Sequence, residues 1–297
     1  LKNKFKFVYD SVAPDYLLAP FNYCINKNIF FAFINMLKKN PNAITIGHTT
    51  EAFYPDLNLF DYAICFDKNH KIEDRILTMP LLKSFYNSNI ENYNKYREIS
   101  ENFLKSPKKF CNFIYSNPIA HPKRDCLFYL INKYKKVDSL GRHLNNCHTT
   151  SSRTQKNWFE LSVDIKAQYK FSISSENGIF PYYTTEKLSS SYLAKTIPIY
   201  WGNEHIEKII NPKAIINANK LSDNELLQTI KEIDHSPSIV KQIISEPLFL
   251  ENQSNSHLKD LEMFYKSYEH IFSQNKFDAK RVQNQKTFLN QYKHLFY

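Results

Sequence analysis

The sequence predicts an α/β protein built from two doubly wound parallel-sheet domains and closed by a C-terminal helical segment. Three observations predict it: strand-like and helix-like stretches alternate, a polar connector interrupts them, and the same alternation then restarts. A length of 297 residues suits two domains of ordinary size, and 42% hydrophobic with 15% aromatic residues is ample material for their cores. In such folds ligands sit at the carboxyl ends of the strands, in the crevice between halves.

Taken in order, Phe5, Phe7 and Tyr9 alternate with other residues and suggest a first strand. A helix follows through Ile29 to Leu37, then buried strands over Ala43 to Gly47 and Asp61 to Phe66. From Tyr86 to Lys109 the chain is polar and reads as a helical or irregular connector. The boundary is expected near its end, giving domains 1–108 and 109–255 and a helix with tail over 256–297. Phe110 to Tyr115 is strand-like, and Pro122 opens a helix with Leu127, Leu130 and Ile131 at helical spacing, the proline sitting where its missing N–H costs least. Short strands follow at Val137, Tyr169 to Ser174, Thr196 to Trp201 and Lys213 to Asn217. Helices are expected over Thr185 to Ala194 and over Asn224 to Ile233, the second capped by Ser222 or Asp223. In the tail, Phe264, Tyr268, Ile271 and Phe272 make one apolar helix face that is expected to pack back on the protein.

Composition excludes several function classes. The chain has four glycines, where about twenty would be ordinary for its size. Gly47, Gly141, Gly178 and Gly202 are each isolated, so neither a G-x-G-x-x-G dinucleotide fingerprint nor a P-loop can be present. A nucleotide would have to be held by side chains and helix N-termini. The longest apolar run, Ile29 to Leu37, falls well short of the ~18 to 20 residues needed to cross a bilayer. Leu1 to Asp10 carry no signal pattern, which speaks only for the chain as it starts at Leu1. Cys24, Cys65, Cys111, Cys126 and Cys147 are scattered and never C-x-x-C, so they read as reduced thiols of a cytosolic protein. A net charge of +10 points to an anionic partner: a nucleotide, a nucleic acid or an acidic membrane surface. Coding bias toward Lys, Asn and Ile explains the same charge equally well.

The stretch from Tyr169 to Asn217 carries the chemistry: a strand, a polar and aromatic loop, a helix starting at Thr184 or Thr185, and a buried strand ending in Gly202. Thr185, Glu186 and Lys187 fall in the first helical turn, where free N–H groups and the positive dipole end favour an anion. A lysine there opposes the dipole, which fits a bound phosphate; a capped helix with a solvated lysine fits the tripeptide taken alone.

The whole stretch resembles the donor-binding motif of the α-1,3/1,4-fucosyltransferases, glycosyltransferase family ten, of bacterial type. Tyr169, Lys170 and Phe171 together with Glu176 and Asn177 match its first block, followed by Thr185 to Lys187, then Ile197 to Gly202, and finally Asn211, Pro212 and Lys213. Four linked blocks at agreeing spacings are far more specific than any single short motif. Asn58 to Phe66, Asp74 to Leu81, Cys111 to Pro118 with Arg124 after it, and Val137 to Arg142 resemble family segments in the right order, so the likeness runs from Glu51 to Lys220. Ser175 replaces the aromatic before Glu-Asn, Tyr182 stands where a glycine is common, and the N-terminal half is short for the family.

The resemblance implies a GT-B-like fold, two Rossmann-type domains facing a cleft, and an inverting transfer of L-fucose from GDP-fucose. The acceptor would be the GlcNAc of a surface oligosaccharide, such as a lipopolysaccharide or Lewis-type glycan, in α-1,3 or α-1,4 linkage. Such a transfer needs a carboxylate to deprotonate the acceptor and cations to absorb charge on the diphosphate. By its offset before Asn58, Glu51 resembles the family's base, with His48 as the competing candidate. Arg124 and Lys187 would neutralise the diphosphate, Arg142 being the second arginine candidate; Glu186 would hold the ribose, and Asn177 and Tyr183 the diphosphate. Tyr200 and Trp201 read as strand core. Asp61 and Asp67 lack D-x-D spacing, so no metal site is predicted and no cofactor is required, a divalent metal at most stimulating. Lys276, Lys280, Arg281, Lys286 and Lys293, alternating with Phe277, Phe288, Tyr292 and Phe296, resemble the tails by which bacterial members lie on membranes. A cytoplasmic protein with peripheral contact at an anionic inner membrane face is therefore expected. Transfer of another GDP-linked deoxysugar is the alternative within enzymes, and a basic nucleic-acid binder is the alternative outside them.

Overall fold

The fold is that of a computed structural model. It describes residues 4–20, 27–49, 51–69, 74–85, 90–95, 99, 106, 108–147 and 157–282. The chain forms two compact units, Leu1–Pro80 with Leu258–Tyr297, and Leu81–His257.

The first unit is a four-stranded parallel sheet in the order β1 (Tyr16–Pro20), β2 (Ile44–His48), β3 (Tyr62–Cys65), β4 (Ile76–Thr78). Parallel strands need cover on both faces. On one face Leu17, Ala19 and Ala63 meet Phe30, Phe33, Ile34 and Leu37 of the helix Lys27–Lys39. On the other, Ile44, Ile46, Tyr62, Ile64 and Leu77 meet Phe264, Tyr268, Ile271 and Phe272 of the helix Glu251–Ser273, together with Ala279 of the short helix Lys276–Ala279. The apolar face read from the tail thus packs on this sheet as its second layer.

One expectation for this unit is corrected. Phe5 to Tyr9 form no strand; Phe5 and Phe7 set their rings edge-on against Phe272 at 5.8 and 5.2 Å, so their alternation records docking on a helix. The first strand is Tyr16–Pro20, at the sheet edge where a proline is tolerated. Three of the basic residues of the tail have partners within this unit. Lys276 pairs with Asp15 at 2.8 Å, Lys280 donates to the carbonyls of Pro41 and Ala43, and Arg281 pairs with Asp74 at 3.0 Å. Lys286, Phe288, Tyr292, Lys293 and Phe296 lie outside the described residues, as does Cys24. Among the described residues no helix is long and apolar enough to cross a membrane.

The second unit is a five-stranded parallel sheet in the order β6 (Val137–Ser139), β5 (Lys109–Phe113), β7 (Tyr169–Ser175), β8 (Ile197–Trp201), β9 (Ile216–Asn217). The chain steps outward from β5 to β6 and then returns past β5 to β7, so strand order reverses between β5 and β7. In doubly wound sheets, connections at such a reversal leave toward opposite faces and open a crevice at the strands' carboxyl ends. The helix Lys123–Asn132 follows β5, and Glu186–Leu193 joins β7 to β8. Ser222 caps Asp223–His235 in a reciprocal box with Glu225. The expected strand over Lys213 to Asn217 shortens to Ile216–Asn217, because Pro212 opens a 3₁₀ turn capped by Asn211. The helices Trp158–Lys166 and Pro237–Ser245 add to the elements read from sequence.

The units divide at Pro80, ahead of the polar connector at whose end the sequence reading sets the boundary. The reason lies in a few side chains within that connector and just before it. Ser84 Oγ donates to Thr184 O at 2.6 Å, and the Tyr93 carbonyl accepts from Tyr192 Oη at 3.0 Å. Phe85 stacks on Phe249, and Tyr93 meets the same ring edge-on. Polar composition concealed a segment anchored by two buried rings.

Candidate functional site

Arg124, in the first turn of the helix after β5, is the largest fully buried side chain among the described residues. Its Nη2 donates to the carbonyls of Asn117 and Pro118 at 2.9 and 3.3 Å, and its Nε lies 3.4 Å from Asp125 Oδ1. Its guanidinium carbon stands 4.9 Å from the centre of the Tyr115 ring. Nη1 is buried with no hydrogen-bond partner. Leaving a buried donor on a charged group unsatisfied costs about 1–3 kcal/mol or more, so the site favours an incoming anionic oxygen.

Three residues around Arg124 are not site candidates by sequence. Asp125 bridges Arg124 to His143, whose Nε2 lies 2.9 Å from both carboxylate oxygens. The Tyr115 hydroxyl donates to the carbonyls of Ile173 and Ser175 at the end of β7, both at 3.0 Å, and accepts from Ser175 N at 2.7 Å. Burial pushes the Tyr115 phenol far up, and Glu176, Arg124 and Glu186 all lie close enough to act on it. Adjacency of Asp125 to Arg124 was the one clue in the sequence.

Gly141 serves this cluster by close approach: a Cβ there would lie 1.9 Å from the Tyr115 carbonyl oxygen. His143 N donates to that same oxygen at 2.9 Å. Gly141→Ala is therefore expected to cost about 1–3 kcal/mol, read as a lowered melting temperature, while Gly178→Ala, which meets nothing within 4 Å, serves as the unaffected control. Equal melting of the two variants would refute the close-packing account. The side chain of Arg142, next to Gly141, is exposed in the loop after β6.

After β7, Glu176 is fully buried and Asn177 half-buried, with Asn177 O accepting from His121 N at 2.7 Å, which ties the loops after β5 and β7 together. Tyr182 holds a φ of 60°, the left-handed region, explaining why a glycine is at home there; its N–H donates to Asn203 Oδ1 at 3.1 Å. Tyr183 is buried and donates its N–H to Phe180 O. Thr185 caps the helix, accepting from Lys187 N, and Glu186 and Lys187 form the first turn. The lysine opposing the dipole has a local answer. Glu176 accepts from Thr185 N and Thr185 Oγ1, both at 2.8 Å, and from Lys187 Nζ at 3.3 Å. Burial raises the Glu176 carboxyl above its ordinary range, and the Lys187 ammonium draws it back. Glu186 lies 3.8 Å from the same ammonium. Tyr200 and Trp201 are buried in β8, with the His121 ring 4.8 Å from Trp201.

The structure thus gathers Arg124, Asn177, Tyr183, Glu186 and Lys187 in one unit, on the connections leaving β5 and β7 where strand order reverses. Glu51 belongs to the first unit, in the loop after β2. Its N–H donates to Thr49 Oγ1 at 2.9 Å and its carbonyl accepts from Phe53 N at 3.0 Å, with the residue half-buried. His48, the other candidate base, ends β2, and burial lowers its pKa toward the neutral imidazole. Asp61 and Asp67 are buried; among the described residues no group of three or more His, Cys, Asp or Glu is placed to hold a metal ion.

Residues 104–243 match the family model described as glycosyltransferase family 10 (fucosyltransferase) C-term. The putative fucosyltransferase R654 of Acanthamoeba polyphaga mimivirus is 30% identical over 225 residues, 70% of this chain and 36% of that protein. The alpha-(1,3)-fucosyltransferase FucT of Helicobacter pylori is 30% identical over 238 residues, 70% of this chain and 48% of that one. The chain therefore spans half or less of the length of these relatives. A crystal structure of an alpha1,3-fucosyltransferase with GDP-fucose shares the fold at a TM-score of 0.59 and 23% identity, covering 88% of this chain and 93% of that one.

Proposed function

Because residues 104–243 belong to glycosyltransferase family 10, we propose that the chain is an inverting fucosyltransferase that takes L-fucose from GDP-fucose to the GlcNAc of a surface oligosaccharide, in α-1,3 or α-1,4 linkage. The observation that carries the donor half is Arg124 Nη1, a buried cationic donor without a partner, on the connection after β5 where strand order reverses. A diphosphate supplies the anionic oxygens that such a group requires, and an arginine fork takes them with fixed geometry. Lys187 adds a point charge. Glu186 would hold the ribose hydroxyls, and Asn177 and Tyr183 would contact the diphosphate. Glu51 would take the proton of the acceptor hydroxyl as it attacks the anomeric carbon, with GDP leaving from the opposite face.

A thermal-shift series with GDP, GDP-fucose, UDP, CMP and an oligonucleotide tests the reading, since only a ligand of the native site stabilises by mass action. GDP and GDP-fucose are expected to raise the melting temperature and the others not. Stabilisation by the oligonucleotide alone would favour a nucleic-acid binder, and stabilisation by GDP with no turnover of GDP-fucose would favour another GDP-linked deoxysugar. Arg124→Ala is expected to weaken GDP about 10- to 100-fold, the loss of a charge-assisted hydrogen-bond pair, as read by titration calorimetry on the folded variant. Unchanged affinity would transfer the role to Arg142.

A further inference from the structure

Lys187 directs its ammonium at a carboxylate that has no part in the roles assigned above. Glu176 is fully buried, and both of its oxygens are engaged: Oε1 by Thr185 N, and Oε2 by Thr185 Oγ1 and Lys187 Nζ. Thr185 Oγ1 also lies 3.0 Å from Lys187 Nζ, so hydroxyl, carboxylate and ammonium form a closed triangle at the start of the helix Glu186–Leu193. The carboxylate stem is held from behind. Glu176 N donates to Trp201 O at 2.8 Å, and a Cβ on Gly202 would stand 2.6 Å from Glu176 Cγ. Gly202 has a φ of 147°, so the end of β8 both passes close to Glu176 and adopts a backbone that other residues rarely do.

Removing a carboxylate wholly from water is costly unless it is paired and hydrogen-bonded. A cation beside a helix N-terminus is likewise disfavoured by the dipole. Each of the two groups offsets the cost of the other, and together they hold a long flexible side chain in one place. A lysine without that pairing would lose its rotamer freedom on binding the donor; here that loss occurs on folding.

We infer that Glu176 is a positioning residue: through Thr185 and the Lys187 ammonium it sets the cation that meets the donor diphosphate before the donor arrives. This rests on reading the chain as a GDP-sugar transferase. Glu176→Gln keeps the shape and removes the charge.

The test is a double-mutant cycle on the full chain with GDP as the probe, measured by titration calorimetry. Glu176→Gln is expected to weaken GDP about tenfold with Lys187 intact, and by less than about twofold in a Lys187→Met background. Equal weakening in both backgrounds would mark a merely structural role and overturn the inference. So would wild-type affinity in Glu176→Gln. Thr185→Val, which removes the bridging hydroxyl and keeps the backbone N–H, gives the same cycle should Glu176→Gln fail to fold. Absence of GDP binding by the wild-type chain would overturn the transferase reading, and this inference with it.

Discussion

Glu51→Gln is expected to lower transfer by about 10²- to 10⁴-fold, the range that positioned base catalysis contributes, while GDP binds as it does to the wild type. The amide matches the carboxylate in size but cannot accept the acceptor hydroxyl's proton. The local turn should survive, because the Glu51 backbone holds it with Thr49 and Phe53 and glutamine leaves those bonds in place. GDP affinity should survive as well, since every residue assigned to the nucleotide lies in the second unit and Glu51 lies in the first. Steady-state turnover together with GDP calorimetry on the same preparation separates the two effects. Near-normal turnover would remove Glu51 from the mechanism. The candidate to replace it is His48, whose burial favours the neutral form that a base requires. A parallel His48→Asn variant decides between them: loss in His48→Asn with retention in Glu51→Gln reverses the assignment.

Asp61→Ala is expected to destabilise the first unit by roughly 3–5 kcal/mol, the usual result of taking one partner out of a buried charged network, lowering its melting temperature by about 10 °C. Asp61 has no exposed surface. Its Oδ2 accepts from Thr45 N and Thr45 Oγ1 at 2.8 and 2.9 Å, and its Oδ1 from Arg281 N and Val282 N, both at 2.6 Å. Lys280 Nζ is 3.7 Å from Oδ2. Alanine leaves the backbone N–H groups of Thr45, Arg281 and Val282 without this acceptor, while Thr45 Oγ1 keeps only the Leu59 carbonyl at 3.1 Å. Asparagine is no neutral exchange, because its Nδ2 must face one of the two donor pairs. The carboxylate thus fastens the end of the described tail to β2, and its loss should expose that tail to limited proteolysis before the rest of the chain. Wild-type melting and an uncut tail would refute the clamp.

Asp61 also shows why parts of this protein cannot be read along the chain. Its partners lie about 220 positions away, at Arg281 and Val282, and nothing in D-Y-A-I-C or in K-R-V announces that they meet. The face of Phe264, Tyr268, Ile271 and Phe272 was legible as apolar from its spacing, but spacing does not say which surface it covers. The sheet's second face was what required it, and that requirement exists only after β1 to β4 are assembled. Tyr93 likewise looks like one aromatic in a polar connector, until Tyr192 and Phe249 are brought beside it.

The donor motif behaved differently. Thr185 at a cap, Glu186 and Lys187 in the first helical turn, and the buried strand ending just before Gly202 all follow from neighbours within a few residues, so they were legible before any fold was known. The two rounds of strand and helix were legible in the same way, since period and capping are local properties of the chain. Which groups answer each other across the sheets is settled only once the chain has folded. Glu176 neutralises Lys187, Asp125 and Tyr115 hold Arg124, and Asp61 holds the tail. A buried charge is stable only where its counter-charge or donors are delivered to it. That delivery is set by strand order and by the close approach of Gly141 and Gly202, not by distance along the sequence.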